Sequence, residues 1–233
     1  MLNCYIMTIF PELVNTFINQ SIIKKSQDLI NYRIVNIRDF ADPPHFKVDD
    51  TPFGGGDGMI FKPEPIFRAY DSILNTIEDD KSLKFVFPTP DAKIFNHDAA
   101  ISLSKTKNLI FLCGHYKGID QRIRDNLVTD EYSVGDFVLT GGELPSCLMI
   151  DSIVRLVPGV LNNYESAITD SFFHDLLDGP HYTRPDEYRK LKVPNILLSG
   201  HHKNIEDWRN EVRRNKTKKI RPDIWKKIKN NYE

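Results

Sequence analysis

Three short segments, two of them carrying glycine, are rich in small or polar residues in a pattern suited to holding a ligand through the backbone. SVGDFVLTGGELP, Ser133 to Pro145, carries Gly135, Gly141 and Gly142 around an apolar run. CGHYKGID, Cys113 to Asp120, follows the run NLIFLC, and TPDA, Thr89 to Ala92, follows KFVFP. Glycine adopts positive φ and lets a ligand reach main-chain N–H and C=O groups with no Cβ in the way. Two glycines alone would read as a plain connection. Three such loops, each closing a strand-like run, point instead to a site at the carboxyl ends of the strands of an open α/β sheet. There is no GxxxxGK[ST], and no GxGxxG opens a helix after the first strand, which argues against a nucleoside triphosphate or a dinucleotide held in the usual way. Glu143, Leu144 and Pro145 suit the first turn of a helix running through MIDSIVRLV.

The metal-type residues carry less. His201 and His202 are adjacent, so on a helix they point in different directions, and neither a carboxylate nor a third histidine stands at metal spacing. We read them as structural residues at a helix N-terminus. Cys4, Cys113 and Cys147 are far apart and lack CxxC spacing, which indicates neither a disulfide framework nor a zinc knuckle.

The elements that would position these loops alternate along the chain. CYIMTIF reads as a buried strand, FPELVNTFINQSIIKKS as a helix with an apolar stripe, and YRIVNI as a second strand. DFADPPHFKVDDTPFGGGDGMIFKP has no period and reads as a long loop, of the kind that is functional or disordered. Then follow helix EPIFRAYDSILNTI, strand KFVFP, helix HDAAISLSK, strand NLIFLC, a short helix IDQRIRDNL and a strand DFVLT. The expected fold is an α/β domain with a mostly parallel sheet over residues 1–157. Prolines at 158, 180, 185 and 194 break the pattern beyond it. Residues 158–177 read as a linker and 178–233 as a small, mainly helical, basic domain.

At 233 residues, with 40% hydrophobic and 27% charged residues, the chain has the composition of an ordinary soluble protein with one or two domains. No apolar run approaches the ~20 residues that span a bilayer. The N-terminus has no basic segment leading into a signal-like core, so the cytoplasm is the expected compartment. The net charge of −1 conceals an asymmetry: residues 201–233 hold eleven Lys/Arg against five Asp/Glu, and residues 1–200 hold twenty against twenty-seven. In the basic end RRNKTKKIRP and KKIK interleave with Trp208, Trp225 and Tyr232. The charge itself fits a polyanion-binding surface and a solubilising helical tail equally well.

FGGGDGM, GHYKGID, SVGDFVLTGGELP, the DSF of Asp170 to Phe172, LLDGPHYTRP and LSGHH occur in this order in the chain. In order and spacing they resemble the bacterial tRNA (guanine-N1)-methyltransferases, the TrmD family of the SPOUT class, and the likeness runs nearly end to end. The resemblance implies a deep trefoil knot within residues 85–155, an exception to the rule that chains do not thread their own loops. It implies S-adenosylmethionine as methyl donor, N1 of the guanosine at tRNA position 37 as acceptor, and a homodimer with its sites at the subunit interface. By position it places Phe87, Thr89, Pro90, Gly114 and Tyr116 in the cofactor pocket. Val134, Gly135, Asp136, Phe137, Val138 and Leu139, with Gly141, Gly142 and Pro145, complete it.

N1 of neutral guanine carries a proton and is a poor nucleophile, so its methylation needs a base. The resemblance gives that role to Asp170, and to Arg155 the stabilisation of charge moving toward O6. Apart from the motif, Asp170 would read as a helix cap and Arg155 as a helix residue paired to a surface acid. Mg2+ is compatible with the family, but no dedicated site is legible. Three positions depart from its pattern: Lys117 replaces a common glutamate, Thr169 a frequent acid, and Asp57 a proline or alanine. Two other readings are a SPOUT methyltransferase acting on another RNA nucleotide, which needs no base such as Asp170, and an inactive RNA-binding relative, favoured only by Lys117.

Overall fold

The computed structural model describes residues 1–78, 82–161, 170–173 and 176–229. The chain divides into two compact units, Met1–Asn162 and Asn163–Glu233.

The first unit is built on a five-stranded sheet. Its strands are β1 (Leu2–Thr8), β2 (Ile30–Asn36), β5 (Leu83–Pro88), β6 (Asn108–Leu112) and β7 (Asp130–Tyr132), in the order β2-β1-β6-β5-β7. All four pairings are parallel. Parallel strands need crossovers, and the helices these supply cover both faces of the sheet, so the central strands are apolar throughout. Alternate residues sort to the two faces. Cys4, Ile6, Val86, Leu109 and Phe111 face α1 (Pro11–Ile18), α4 (His97–Ser104) and α6 (Glu143–Val154). Tyr5, Met7, Phe85, Phe87, Ile110 and Leu112 face α3 (Pro63–Leu74) and α5 (Gln121–Asn126). Local signals set several helix starts. Proline occupies the first turn of α1 and α3, and the Asn96 and Asp120 side chains accept from Ala99 N and Arg122 N at the starts of α4 and α5.

Three expectations are corrected. The single helix expected over residues 10–26 is two, α1 and α2 (Ser21–Lys25), with the Asn19 side chain donating back to the Asn15 carbonyl at the break. The long loop contains a 3-10 turn, Ile37–Phe40, and a two-residue antiparallel pair, β3 (Asp49–Asp50) with β4 (Ile60–Phe61). It is anchored by Val48 and Phe61, both fully buried. DFVLT is not a strand. The last strand of the sheet comes earlier, at β7, which pairs with β5 only as far as Pro88 and Tyr132. Gly135, at φ +153°, then turns the chain away, held by Ser133 Oγ donating to the Gly135 carbonyl at 2.8 Å.

The second unit contains a short hairpin, β8 (Glu187–Tyr188) with β9 (Leu191–Lys192), and the helices α7 (Asn195–Leu198), α8 (His202–Ile220) and α9 (Pro222–Ile228). Its anchor is the segment before Gly179. Leu177 N donates to Thr217 Oγ1 at 2.9 Å, Arg213 Nη2 to Asp178 Oδ1 at 2.8 Å and Lys216 Nζ to the Asp178 carbonyl at 2.7 Å. Of the expected linker, residues 162–169 and 174–175, Thr169 among them, lie outside the described residues.

Candidate active site

At the carboxyl ends of β5, β6 and β7 the three loops, two of them glycine-bearing, enclose a cavity of about 340 Å³, within the size range of small-molecule sites. Phe87, Thr89 and Pro90 line it from the end of β5, Gly114 and Tyr116 from the loop after β6. Val134, Phe137, Val138 and Leu139 line it from the loop after β7, and Gly141, Gly142 and Pro145 from the approach to α6. Of the residues expected in this pocket only Gly135 and Asp136 stand outside the wall. Lys117 also lines it, with its side chain exposed and its N–H donating to the Met59 carbonyl at 2.9 Å.

Conformational freedom explains one of the three expected glycines: only Gly135 has positive φ, and Gly142 sits at φ −82°. Close approach explains the other two. A Cβ on Gly142 would lie 2.6 Å from Gly114 N and 2.8 Å from Cys113 Cα, and one on Gly141 would overlap the His115 ring. The two loops are in backbone contact, Gly142 N donating to the Gly114 carbonyl at 2.7 Å. Gly114 in turn leaves room for the edge of the Phe87 ring.

Beneath this contact lies a carboxylate that the sequence reading assigned only to a helix turn. Glu143, the first residue of α6, is 3% exposed. Its Oε1 accepts from Thr8 Oγ1 at 2.6 Å, and its Oε2 is 2.6 Å from His115 Nε2. Thr8 also accepts from Phe10 N at 2.9 Å. A buried carboxylate is tolerated when hydrogen-bonded, and the helix N-terminus adds a favourable dipole. On the opposite wall Arg124 donates through Nε and Nη2 to Glu131, each at 2.7 Å, and through Nη1 to Asp91 at 3.0 Å, with its guanidinium 5.7 Å from the Phe87 ring centre. The Thr89 hydroxyl donates to Asp91 and, with Arg124, holds that carboxyl below its ordinary range. Sequence reasoning missed Thr8, Asp91, His115, Arg124 and Glu143. For His115 and Glu143 a signal existed, because both lie inside the quoted glycine motifs.

All three cysteines are buried, and Cys113 underlies the Gly114 turn with Sγ 3.4 Å from Ser146 Oγ. Burial pushes the Cys147 thiol up to about 12 and those of Cys4 and Cys113 higher still. They stay protonated and serve as small apolar fillers.

Arg155 is the half-buried residue ending α6 in the first unit. Asp170 belongs to the second unit, half-buried, ahead of a turn in which Phe172 N donates to the Leu176 carbonyl at 2.9 Å. Neither is without a partner. His201 and His202 stand exposed at the start of α8. Among the described residues no group of three His, Cys, Asp or Glu is placed to hold a metal, and no helix is long and apolar enough to cross a membrane.

Compared with known proteins, residues 2–227 match the family described as tRNA (Guanine-1)-methyltransferase TrmD. The chain belongs to this family. Among the family's curated relatives, the tRNA (guanine-N(1)-)-methyltransferase of Clostridioides difficile is 50% identical over 225 residues, covering 96% of this chain and 97% of its own. The proteins of the same name from Brevibacillus brevis and Staphylococcus epidermidis are each 47% identical, covering 96% and 94% of this chain and 91% and 88% of their own. Family membership thus extends over both units, from β1 to α9.

Proposed function

We propose that this protein is a methyltransferase that moves a methyl group from S-adenosylmethionine to N1 of the guanosine at position 37 of tRNA. The observation carrying this reading is the cavity walled by these three loops in a chain of the TrmD family. The pocket fits the donor's mixed character. Gly114 and Gly141 line it without a side chain, while Phe137, Val138 and Leu139, each at least 41% exposed, offer an apolar lip. Bound S-adenosylmethionine supplies an electrophilic methyl group. The protein's part is to hold it by Phe87, Thr89, Pro90, Gly114, Tyr116, Val134, Phe137, Val138, Leu139, Gly141, Gly142 and Pro145, and to raise the nucleophilicity of the base.

In this reading Asp170 accepts the N1 proton and the Arg155 guanidinium stabilises charge moving to O6. Residues 178–233 bind the tRNA backbone, and residues 1–157 form the knotted catalytic domain of a cytoplasmic homodimer. The knot reading is supported by the packing of the Gly141–Gly142 turn against the Cys113–Gly114 backbone. For Mg2+ the described residues offer no cluster of three donors that fits, and no step depends on it.

Incubating the purified protein with methyl-labelled S-adenosylmethionine and tRNA transcripts bearing G or A at position 37 tests the proposal. We expect label in the G transcript alone. Transfer to both transcripts, or to neither, would contradict it.

A further inference from the structure

We infer that Glu143 and His115 are positioning residues that hold the donor pocket in its binding shape, Glu143 acting as a buried clamp between three elements. The inference rests on the reading of this cavity as the S-adenosylmethionine site. One carboxylate joins the end of β1 through Thr8, the loop after β6 through His115, and the N-terminus of α6, of which it is the first residue. Both its oxygens are used, each in a 2.6 Å bond, and a carboxylate 3% exposed cannot exchange those partners for water.

What the clamp fixes is the pocket wall. His115 pairs with Gly141 across an isolated antiparallel bridge, and its ring occupies the space a Gly141 side chain would need. The next residue, Tyr116, lines the cavity at φ +61°, a conformation that a residue with a Cβ keeps only when its surroundings impose it. His115 is held on one side by Glu143 and on the other by Gly118 N donating to its carbonyl at 3.1 Å, and Phe10 contacts its ring edge-on at 4.9 Å. Releasing the ring frees both Tyr116 and the Gly141 turn, and these are two walls of one pocket. Neither positioning side chain needs to touch the reacting atoms.

Two substitutions separate the hydrogen bond from the ring. His115→Gln keeps a donor near the Nε2 position and loses the ring; His115→Phe keeps a ring and loses the donor. With the full-length protein, S-adenosylmethionine affinity is measured by calorimetry, and KM and kcat by methylation of G37 tRNA. We expect His115→Gln to bind within about threefold of the unaltered protein, and His115→Phe to weaken binding by about tenfold or more. The effect of His115→Phe should fall on KM for S-adenosylmethionine, with kcat changed by less than about threefold.

Equal binding by the two variants, or tighter binding by His115→Phe, would overturn the inference, since the hydrogen bond would then not be what holds the pocket. If His115→Phe does not fold, Thr8→Ser and Thr8→Val pose the same question at the other carboxylate oxygen. There the hydroxyl-bearing variant must bind and the isosteric one must not; any other order refutes the clamp. An unaltered protein that fails to bind S-adenosylmethionine refutes the proposed function itself, whereas one that binds it while every variant binds as well refutes the clamp alone.

Discussion

Gly142 has space for a hydrogen and nothing larger, because the backbone of Cys113 and Gly114 occupies the direction a side chain would take. Backbone cannot step aside as a flexible side chain can, so Gly142→Ala must move one loop away from the other. We expect it to cost about 1–3 kcal/mol of stability and to lower S-adenosylmethionine affinity at least about tenfold. Denaturant unfolding and calorimetry on the same preparation check both effects; unchanged values in each would remove the close-approach explanation. Asp170 has a different part in the proposed reaction, as the proton acceptor and not as packing for the pocket. Asp170→Asn should bind S-adenosylmethionine normally and lose roughly 10²–10⁴ in single-turnover methyl transfer. A loss of less than about tenfold would assign the proton to another group.

Among the elements, the anchor of α8 carries an acid dependence that can be read out on its own. Burial pushes the Asp178 carboxyl upward, but the Arg213 guanidinium, His181 and the Gly179 N–H outweigh it and hold the group below its ordinary value. A carboxylate lowered in the folded state contributes stability that is present above its unfolded value, near pH 4, and lost as pH falls through the folded one. Both tryptophans, Trp208 and Trp225, lie in the second unit, so their fluorescence reports that unit. We expect its urea midpoint to fall as pH drops below about 4. Asp178→Asn should destabilise the unit at pH 7, by about 1–3 kcal/mol, and flatten this acid dependence. A midpoint that declined equally steeply in the variant would place the acid sensitivity elsewhere.

For the whole molecule the governing quantity is the uneven charge, basic beyond residue 200 and acidic before it. Deleting residues 201–233 would be a poor test of tRNA binding, since Thr217, Arg213 and Lys216 also anchor Leu177 and Asp178 within the second unit. Lys219, Lys226 and Lys227 are exposed and can be changed to glutamine without disturbing that anchor. If these lysines neutralise phosphates, removing each charge should reduce the slope of log affinity against log salt by about one. The triple variant should therefore bind tRNA more weakly at low salt while retaining S-adenosylmethionine affinity. An unaltered salt slope would mean that these lysines face solvent in the complex.

Four strands of the main sheet, most helices and the three loops were legible because they rest on local pattern: apolar runs for buried parallel strands, turn residues at their ends, and apolar stripes for helices. Family motifs spread over both halves carried the functional reading further than periodicity could. What no local pattern contains is which strand has a neighbour. DFVLT holds a short apolar run like that of a buried strand, yet β5 ends its pairing at Pro88 and β7 at Tyr132, so the residues after them have no edge to join, and Phe137 to Thr140 form part of the pocket wall. Gly141 and Gly142 read as glycines free to take positive φ, but they stand where a Cβ would strike the His115 ring and the Cys113–Gly114 backbone, a distinction only the packed loops make. The Glu143 clamp joins residues 28 and 135 positions away, and a hydrogen bond across that separation exists only once the sheet has brought the ends of β1 and β6 to the start of α6.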